Sequence, residues 1–286
     1  MREKLFCPVK INLTLRVLSP RDDGYHNIYS LFWQKKAIEG LTICSSDDEN
    51  IGDVLDVDGF NLMGINLVTK AVALMRSLGC AVPPLRMRLE KHYPAGSGIG
   101  AGSGNAAAAI RWISEKYAFP LSAAVIAQLG ADVAFLASSY DTAIASGVGE
   151  KLREMPSIPG LIWVLVFPKW SSQTAEAYKK LDIYRLENNI TVSAGDFEAE
   201  AREVHELLTR KNYIGLLPND FLAPLTKEHS EYSCAGKIAK DSGALAWGLC
   251  GSGSAYFAVC GDNDSADRAV EMYQNENWIL KTSKLE

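Results

Sequence analysis

Pro94-Ala95-Gly96-Ser97-Gly98-Ile99-Gly100-Ala101-Gly102-Ser103-Gly104-Asn105 is a stretch with glycine at every second position from Gly96 to Gly104. Glycine has no Cβ, so its backbone can approach a phosphate closely and can adopt the positive φ values that turn N–H groups inward. The alanine-rich segment 106–119 follows directly and predicts a helix that starts at Ser103 or Asn105. The N–H groups and the positive dipole end of that helix would add to an anion site. The stretch therefore predicts a loop that binds nucleotide phosphates.

Other interpretations of this glycine loop fit less well. A Walker A loop needs Gly-Lys followed by Ser or Thr, and the Gly-Lys pair of this chain stands in Gly236-Lys237-Ile238. Residues 96–101 match a dinucleotide fingerprint, but a helical segment at 121–129 follows instead of a strand, and the candidate acid, Glu115, lies within the preceding helix. A flexible linker would have polar, unstructured flanks. A loop for a mononucleotide triphosphate is favoured.

Composition and charge limit the class of protein. The formal net charge is −5 over 286 residues, and no block of Lys and Arg is present, so nonspecific electrostatic binding to nucleic acid is not expected. We see no secretory signal and no apolar run of about 20 residues that would span a membrane. The six cysteines form no CxxC pair and have no His at zinc spacing, which favours reduced thiols over a metal site. We expect a cytoplasmic protein.

Hydrophobic periodicity gives a coarse map of the first half of the chain. Residues 9–17 alternate between apolar and polar, which predicts a half-buried strand displaying Lys10 and Asn12 on one face. Residues 21–24 predict a turn, and Asp132 starts a helical turn that continues to residue 137. Further strands are expected at 31–38, 41–45 and 85–89, and further helices at 66–78 and 121–129.

The segment 156–160, Pro-Ser-Ile-Pro-Gly, predicts a linker between two lobes. Beyond it we expect strands at 161–167, 244–249, 255–260 and 278–282, and helices at 173–181, 199–209, 220–240 and 265–274. If the helices after the first of these strands form one insertion, the order is the β-α-β-β-α-β of a ferredoxin-like lobe.

Three segments together resemble the GHMP kinase superfamily: residues 7–13 (CPVKINL), residues 94–107 and residues 250–255 (CGSGSA). Within it, the elements 10–13 (KINL), 23–26 (DGYH) and 130–135 (GADVAF) resemble the 4-diphosphocytidyl-2-C-methyl-D-erythritol kinases. The resemblance implies an α+β, two-lobed fold, with a ribosomal-protein-S5-domain-2-like lobe over residues 1–155, a ferredoxin-like lobe over residues 156–286 and an active site in the cleft. It also implies transfer of the γ-phosphoryl group of ATP to the 2-hydroxyl of a cytidine-diphosphate polyol in the non-mevalonate route to isoprenoid precursors.

The same resemblance assigns roles to individual residues. Asp132 matches the catalytic base and Lys10 its electrostatic partner, although an N-cap acid and a solvated strand lysine are the ordinary alternatives. Mg²⁺ is implied by the chemistry, with no clear protein ligand. Substrate contacts are expected from Asn12, Tyr25, His26 and Tyr178. ATP contacts are expected from Asn66, which could equally be a helix N-cap, and from Pro94, Ala95, Gly96, Ser97, Gly98, Ile99, Gly100, Ala101, Gly102, Ser103 and Gly104.

The match has departures. Ile99, Ala101 and Gly104 stand where the family loop has Leu, Gly and a second Ser, which leaves Ser103 as the loop serine near the phosphates. Residues 219–222 read Asn-Asp-Phe-Leu where the family has Asn-Asp-Leu-Glu. Two alternatives remain open: a related kinase acting on an uncapped alcohol such as mevalonate or homoserine, and a non-catalytic nucleotide sensor on the same fold. Tyr25 and His26 disfavour the first, and the presence of both Lys10 and Asp132 disfavours the second.

Overall fold

The computed structural model describes residues 2–46, 52–60, 66–192 and 195–285. The chain divides into two compact units with interleaved segments. The first unit holds Met1–Lys10, Gln34–Ala95 and Gly100–Tyr140, and the second holds Ile11–Trp33, Gly96–Ile99 and Asp141–Glu286. Two long paired strands, β1 (Glu3–Pro20) and β2 (His26–Ser45), contribute residues to both units. The predicted boundary between residues 155 and 156 stays a prediction.

The first unit places helices beside one part of a six-stranded sheet. Strand β4 (Leu85–Lys91) pairs in parallel with β3 (Val54–Gly59) and antiparallel with the end of β2. Helix α1 (Leu67–Ser77) packs on α2 (Ala101–Lys116), and α3 (Ala123–Ile126), a 3-10 turn (Ala127–Leu129) and α4 (Ala131–Ala137) follow. Helix α2 is buried along most of its length because its alanines allow neighbouring elements to approach closely.

The second unit contains a five-stranded sheet of order β11-β7-β10-β9-β8. Its strands are β7 (Ile162–Pro168), β8 (Gly215–Leu216), β9 (Ala246–Leu249), β10 (Tyr256–Cys260) and β11 (Ile279–Leu285). Its helices are α5 (Thr174–Glu187), α6 (Phe197–Thr209), α7 (Leu222–Glu228), α8 (Glu231–Asp241) and α9 (Asn263–Gln274). The start of β2 pairs with β5 (Thr142–Ser146), which pairs with β6 (Lys151–Met155).

The ferredoxin-like order is confirmed. Without the short edge strand β8, the sheet has the order β11-β7-β10-β9. Numbered by their place in the sequence, these strands have the order 4-1-3-2, which is that of the β-α-β-β-α-β unit. The insertion between β7 and β9 supplies α5 to α8 and the short parallel edge strand β8. The α+β class is therefore confirmed.

Several local expectations were wrong. Strand β1 is buried on both faces, since Lys10, Asn12 and Thr14 are 5%, 3% and 1% exposed. Helix α2 begins at Ala101 instead of Ser103 or Asn105, because Gly100 adopts the left-handed conformation that ends the loop. The expected helix 220–240 is two helices, α7 and α8, and strands β3, β5, β6 and β8 were not predicted. Across the described residues, each helix is too short or too polar to traverse a lipid bilayer.

Candidate active site

The first half of the glycine loop, residues 96–99, is fixed by backbone contacts within the second unit. The carbonyl of Gly96 accepts hydrogen bonds from the N–H groups of Ser172 at 3.1 Å and Ser254 at 3.2 Å. The carbonyl of Ser97 accepts from the N–H of Ala255 at 3.0 Å. The turn 250–255 between β9 and β10 therefore holds this half of the loop, a contact that the sequence did not predict.

Gly98 shows why this contact needs glycine. Its φ is +80°, and an added Cβ would lie 1.9 Å from the carbonyl oxygen of Cys250. Gly96 and Gly100 also have positive φ, of +68° and +66°. By contrast, Gly102 and Gly104 lie inside α2, so only the first three glycines of the run provide the turns expected of all five.

Gly104 has a packing role instead. A Cβ at this position would lie 1.8 Å from the carbonyl oxygen of Pro8 in β1. The backbone of α2 is thus pressed against that of β1, two residues before Lys10. This contact excludes any side chain at position 104 unless the backbone of β1 shifts.

The second half of the loop forms the beginning of α2 in the first unit. Gly100 is the N-cap of α2, with φ 66° and ψ 22°, and this end of the helix has no side-chain cap among the described residues. The first N–H groups of a helix have no partner within it, and together with the helix dipole they attract anions. The start of α2 can therefore accept a phosphate group, as the sequence predicts.

Lys10 and Asp132 meet next to this helix terminus. The Lys10 Nζ lies 3.4 Å from the Asp132 Oδ2, and the two side chains are 6% and 32% exposed. A Cβ on Gly100 would lie 3.2 Å from the Lys10 Cγ and 3.4 Å from the Asp132 Oδ2. Asp132 is in the first turn of α4, whose N-cap is Gly130, so it does not cap that helix. Its carboxylate remains partly accessible for a substrate hydroxyl.

A buried cluster that the sequence did not reveal supports the entry to the glycine loop. Glu39 lies 2.7 Å from the Lys91 Nζ through its Oε2, and the Asn105 amide donates to the same oxygen at 2.9 Å. The other oxygen, Oε1, accepts from the backbone N–H groups of His92 at 3.1 Å and Tyr93 at 3.0 Å. One buried carboxylate thus joins the end of β4, the chain leading to Pro94 and the body of α2.

His26 and Tyr178 come together in the second unit. Their ring centroids are 4.9 Å apart, and Tyr178 also meets Phe221 edge to face at 4.9 Å. The His26 Nε2 lies 3.0 Å from the Oδ1 of Asp182, one turn after Tyr178 on α5. Asp182 was missed, although its i+4 spacing from Tyr178 placed both on one helix face. Tyr25 extends its ring into solvent and is 66% exposed.

Asn12 and Asn66 have defined partners. The Asn12 amide donates to the Ser30 hydroxyl at 2.9 Å inside the second unit. Asn66 caps α1, since its Oδ1 accepts from the Val68 N–H at 2.8 Å. The Asn66 Nδ2 is buried and has no hydrogen-bond partner among the described residues. Asn66 is therefore an N-cap, one of the two roles that the sequence left open, and its contact with ATP stays a prediction.

Asp220, part of the departing motif at 219–222, has a structural role. It accepts from Arg16 at 3.0 Å and from Arg185 and the Val17 N–H at 2.8 Å. Arg16 also forms a fork with Glu200, with a shortest distance of 2.6 Å, and these carboxylates raise the pKa of its guanidinium. The network ties β1 to α5 and α6 and needs no carboxylate at residue 222.

The comparisons with known proteins agree with this geometry. The family model described as GHMP kinases N terminal domain matches residues 66–149, and GHMP kinases C terminal matches residues 179–280. A 4-diphosphocytidyl-2-C-methyl-D-erythritol kinase of Porphyromonas gingivalis is 32% identical, with 93% of this chain and 95% of the relative covered. One from Rhizobium etli is 30% identical, with 96% and 92% covered.

A solved structure shows the same architecture. A crystal structure of 4-(cytidine 5'-diphospho)-2C-methyl-D-erythritol kinase matches with a TM-score of 0.78 and 27% identity, covering 99% of this chain and 98% of that one. The two-lobed GHMP kinase fold that the sequence implied is confirmed. With relatives of 30% identity or more over nearly their whole length, this chain belongs to the 4-diphosphocytidyl-2-C-methyl-D-erythritol kinase family of the GHMP kinases.

Proposed function

We propose that this kinase transfers the γ-phosphoryl group of ATP to the 2-hydroxyl of 4-diphosphocytidyl-2-C-methyl-D-erythritol, a step of the non-mevalonate route to isoprenoid precursors. The observation that carries the proposal is the Lys10–Asp132 pair beside the uncapped start of α2. A phosphate cradle, a cation and a partly exposed carboxylate are the parts that phosphoryl transfer requires. The names of the full-length relatives support this substrate.

In the proposed reaction, Asp132 accepts the proton of the substrate hydroxyl as its oxygen attacks the γ-phosphorus. The new O–P bond forms while the bond to the β-phosphate oxygen breaks, and ADP leaves. The Lys10 ammonium, 3.4 Å from the carboxylate, stabilises negative charge on the attacking oxygen. Because Lys10 is buried and enclosed by β1 and α2, little motion is needed to align it.

The nucleotide would lie along residues 94–104, with its phosphates on the N–H groups of the loop and of the first turn of α2. The unpartnered Asn66 Nδ2 would donate to a ring nitrogen of adenine. Mg²⁺ neutralises the triphosphate when it is bound, and it commonly uses phosphate oxygens with one or two protein ligands. The Ser103 hydroxyl, an oxygen donor in that first turn, fits such a contact.

Cytosine recognition is assigned to the cluster of His26, Tyr178 and Asp182. In the tautomer whose Nε2–H donates a hydrogen bond to Asp182, His26 presents Nδ1 as an acceptor. Cytosine offers the matching N4 amino donor, whereas uracil carries an oxygen at that position. Tyr178 and the exposed Tyr25 would stack on the base, and Asn12 would contact the same substrate.

The test is ADP release with Mg-ATP and a panel of acceptors: the cytidine-capped substrate, its uridine analogue, mevalonate and homoserine. We expect turnover with the cytidine compound alone. Turnover of an uncapped alcohol would identify a different kinase of this fold, and nucleotide binding without turnover would identify a sensor. Asp182→Asn should reduce the preference for cytidine over uridine; an unchanged preference would reject the base-reading role alone.

Lys10→Met separates transition-state stabilisation from binding. We expect a fall in kcat at least tenfold larger than the rise in KM, because the ammonium acts on charge that develops during transfer. Lys4→Met, an exposed lysine of the same strand, is the matched control and should leave both constants unchanged. A rise in KM with kcat intact would reject the role of Lys10.

A further inference from the structure

The second unit contains a cavity of about 850 Å³ that the proposed reaction does not use. Its wall is formed by α6, by residues 214–219, by α7 and α8, and by Trp247 of β9 and Tyr256 of β10. None of the residues assigned above to catalysis, ATP or substrate lines it. The cavity therefore shares no residue with the proposed kinase site.

Two polar atoms face this cavity without a hydrogen bond to the protein. Tyr256 and Trp247 line the cavity and are 2% and 7% exposed as residues, and among the described residues neither the Tyr256 hydroxyl nor the Trp247 Nε1 has a hydrogen bond. Burial raises the pKa of Tyr256, so its hydroxyl keeps its proton and can donate. Both groups open onto the cavity, so an acceptor there, from water or from a ligand, satisfies them.

The two atoms point to the same place. A Cβ built on Gly236 of α8 would lie 3.3 Å from the Trp247 Nε1 and 3.4 Å from the Tyr256 hydroxyl oxygen. The missing side chain of Gly236 thus leaves both donors open to the cavity. An oxygen atom at this position could accept from both, since the indole N–H only donates and the hydroxyl can do so.

The rest of the wall indicates what the remainder of a ligand must be. Val204, Leu207, Ile214 and Leu217 give it an apolar body. Among the described residues that line it, the charged side chains are Glu200 and Glu203, and Glu200 is neutralised by Arg16 at 2.6 Å. Glu203 is then the remaining charge of the wall, which has no lysine or arginine, so a neutral ligand is favoured over a carboxylate or a phosphate.

We propose that this cavity is a second ligand site, which binds a neutral amphiphilic small molecule by an apolar body and one oxygen acceptor held by Trp247 and Tyr256. The apolar area supplies affinity, and the paired donors fix the orientation of the ligand. The site belongs to the ferredoxin-like lobe and is independent of the identity of the phosphorylated alcohol.

Prodan, a neutral naphthalene with one ketone oxygen, is the probe, because its emission shifts to the blue in an apolar site. We expect saturable binding of one prodan per chain, displaced by 1-octanol but at least tenfold less well by octanoate. The double variant Trp247→Phe with Tyr256→Phe keeps both rings and removes both donors. Its prodan Kd should rise about thirtyfold, the loss expected for two hydrogen bonds of about 1 kcal/mol each.

Controls separate this site from nonspecific binding and from misfolding. Trp278→Phe removes a tryptophan that does not line the cavity and should leave the prodan Kd unchanged. Gly236→Ala places a methyl group over both donors, introduces a better helix former into α8 and should also weaken prodan binding. Kinase turnover should persist in every variant. No saturable binding, equal displacement by octanoate, or an unchanged Kd in both the double variant and Gly236→Ala would overturn the proposal.

Discussion

Glu39→Gln tests whether the buried carboxylate holds the entry to the glycine loop. The substitution keeps the size of the side chain but replaces an anionic oxygen with an amide. The Lys91 ammonium would lose its counter-charge, although the two side chains are only 2% and 1% exposed. Four groups now donate hydrogen bonds to the Glu39 carboxylate, and at least one of them would instead face the amide NH₂ of glutamine, which is itself a donor.

The expected loss follows from the burial of this pair. Removing one partner of a buried ion pair costs about 3–5 kcal/mol, because the other charge is left without compensation. For a protein of this size that corresponds to a decrease of roughly 6 to 20 °C in Tm. Glu90→Gln provides the contrast, since the pair Lys4–Glu90 is 53% and 33% exposed, and such surface pairs contribute about 0–1 kcal/mol.

Thermal unfolding followed by circular dichroism measures both variants, and ATP affinity is measured below the transition. Glu39→Gln should also weaken ATP binding, because His92 and Tyr93 lead into the loop. Adding Lys91→Met should recover part of the Tm, since the uncompensated charge is then removed. A Tm change no larger than that of Glu90→Gln, or no recovery in the double variant, would refute this account of Glu39.

Three further predictions address the loop, the base and a thiol. Asp132→Asn should lower kcat by about 10²–10⁴ while fluorescent ATP still binds; near-normal turnover would exclude Asp132 as the base. Gly98→Ala should unfold the second unit at markedly lower temperature, because its Cβ would lie 1.9 Å from the Cys250 oxygen, whereas Gly102→Ala, with its nearest atom at 3.8 Å, should be tolerated. Burial raises the pKa of Cys260 to about 11, above the value near 8.5 of an unfolded thiol. The folded state therefore retains a proton that the unfolded state loses, and stability falls as the pH rises between these values. From pH 9 to 10 the unfolding free energy of the native protein should fall by about 1 kcal/mol more than that of Cys260→Ala, and equal slopes in urea titrations would contradict the assignment.

Elements with a clear period were predictable from the sequence. The alternation of Leu85, Met87 and Leu89 corresponds to β4, and the Asn66 cap and Gly79 stop enclose α1. Strand β5, Thr-Ala-Ile-Ala-Ser, was missed because four of its five residues are fully buried and no alternation marks it. The same reason explains why β1 looked half-buried, since its polar face is covered by other parts of the fold.

Residues of the candidate site were predictable only where they belong to a family motif. Lys10 and Asp132 were paired through the family resemblance, and the structure brings their charged atoms to 3.4 Å. Glu39 was not found, because its partners Lys91 and Asn105 lie 52 and 66 residues further along the chain. Nothing in the local sequence distinguishes such a glutamate from a solvated one. Likewise, the donors of Trp247 and Tyr256 only become notable once their burial is known.

The close approach of Gly104 to Pro8 constrains how this sequence can diverge. A serine substituted at position 104 would place its Cβ 1.8 Å from the Pro8 carbonyl oxygen, a main-chain atom that no rotamer change can move. Such a substitution would therefore be deleterious unless the first strand also shifted. Two positions that lie far apart in the sequence are thus coupled through backbone geometry.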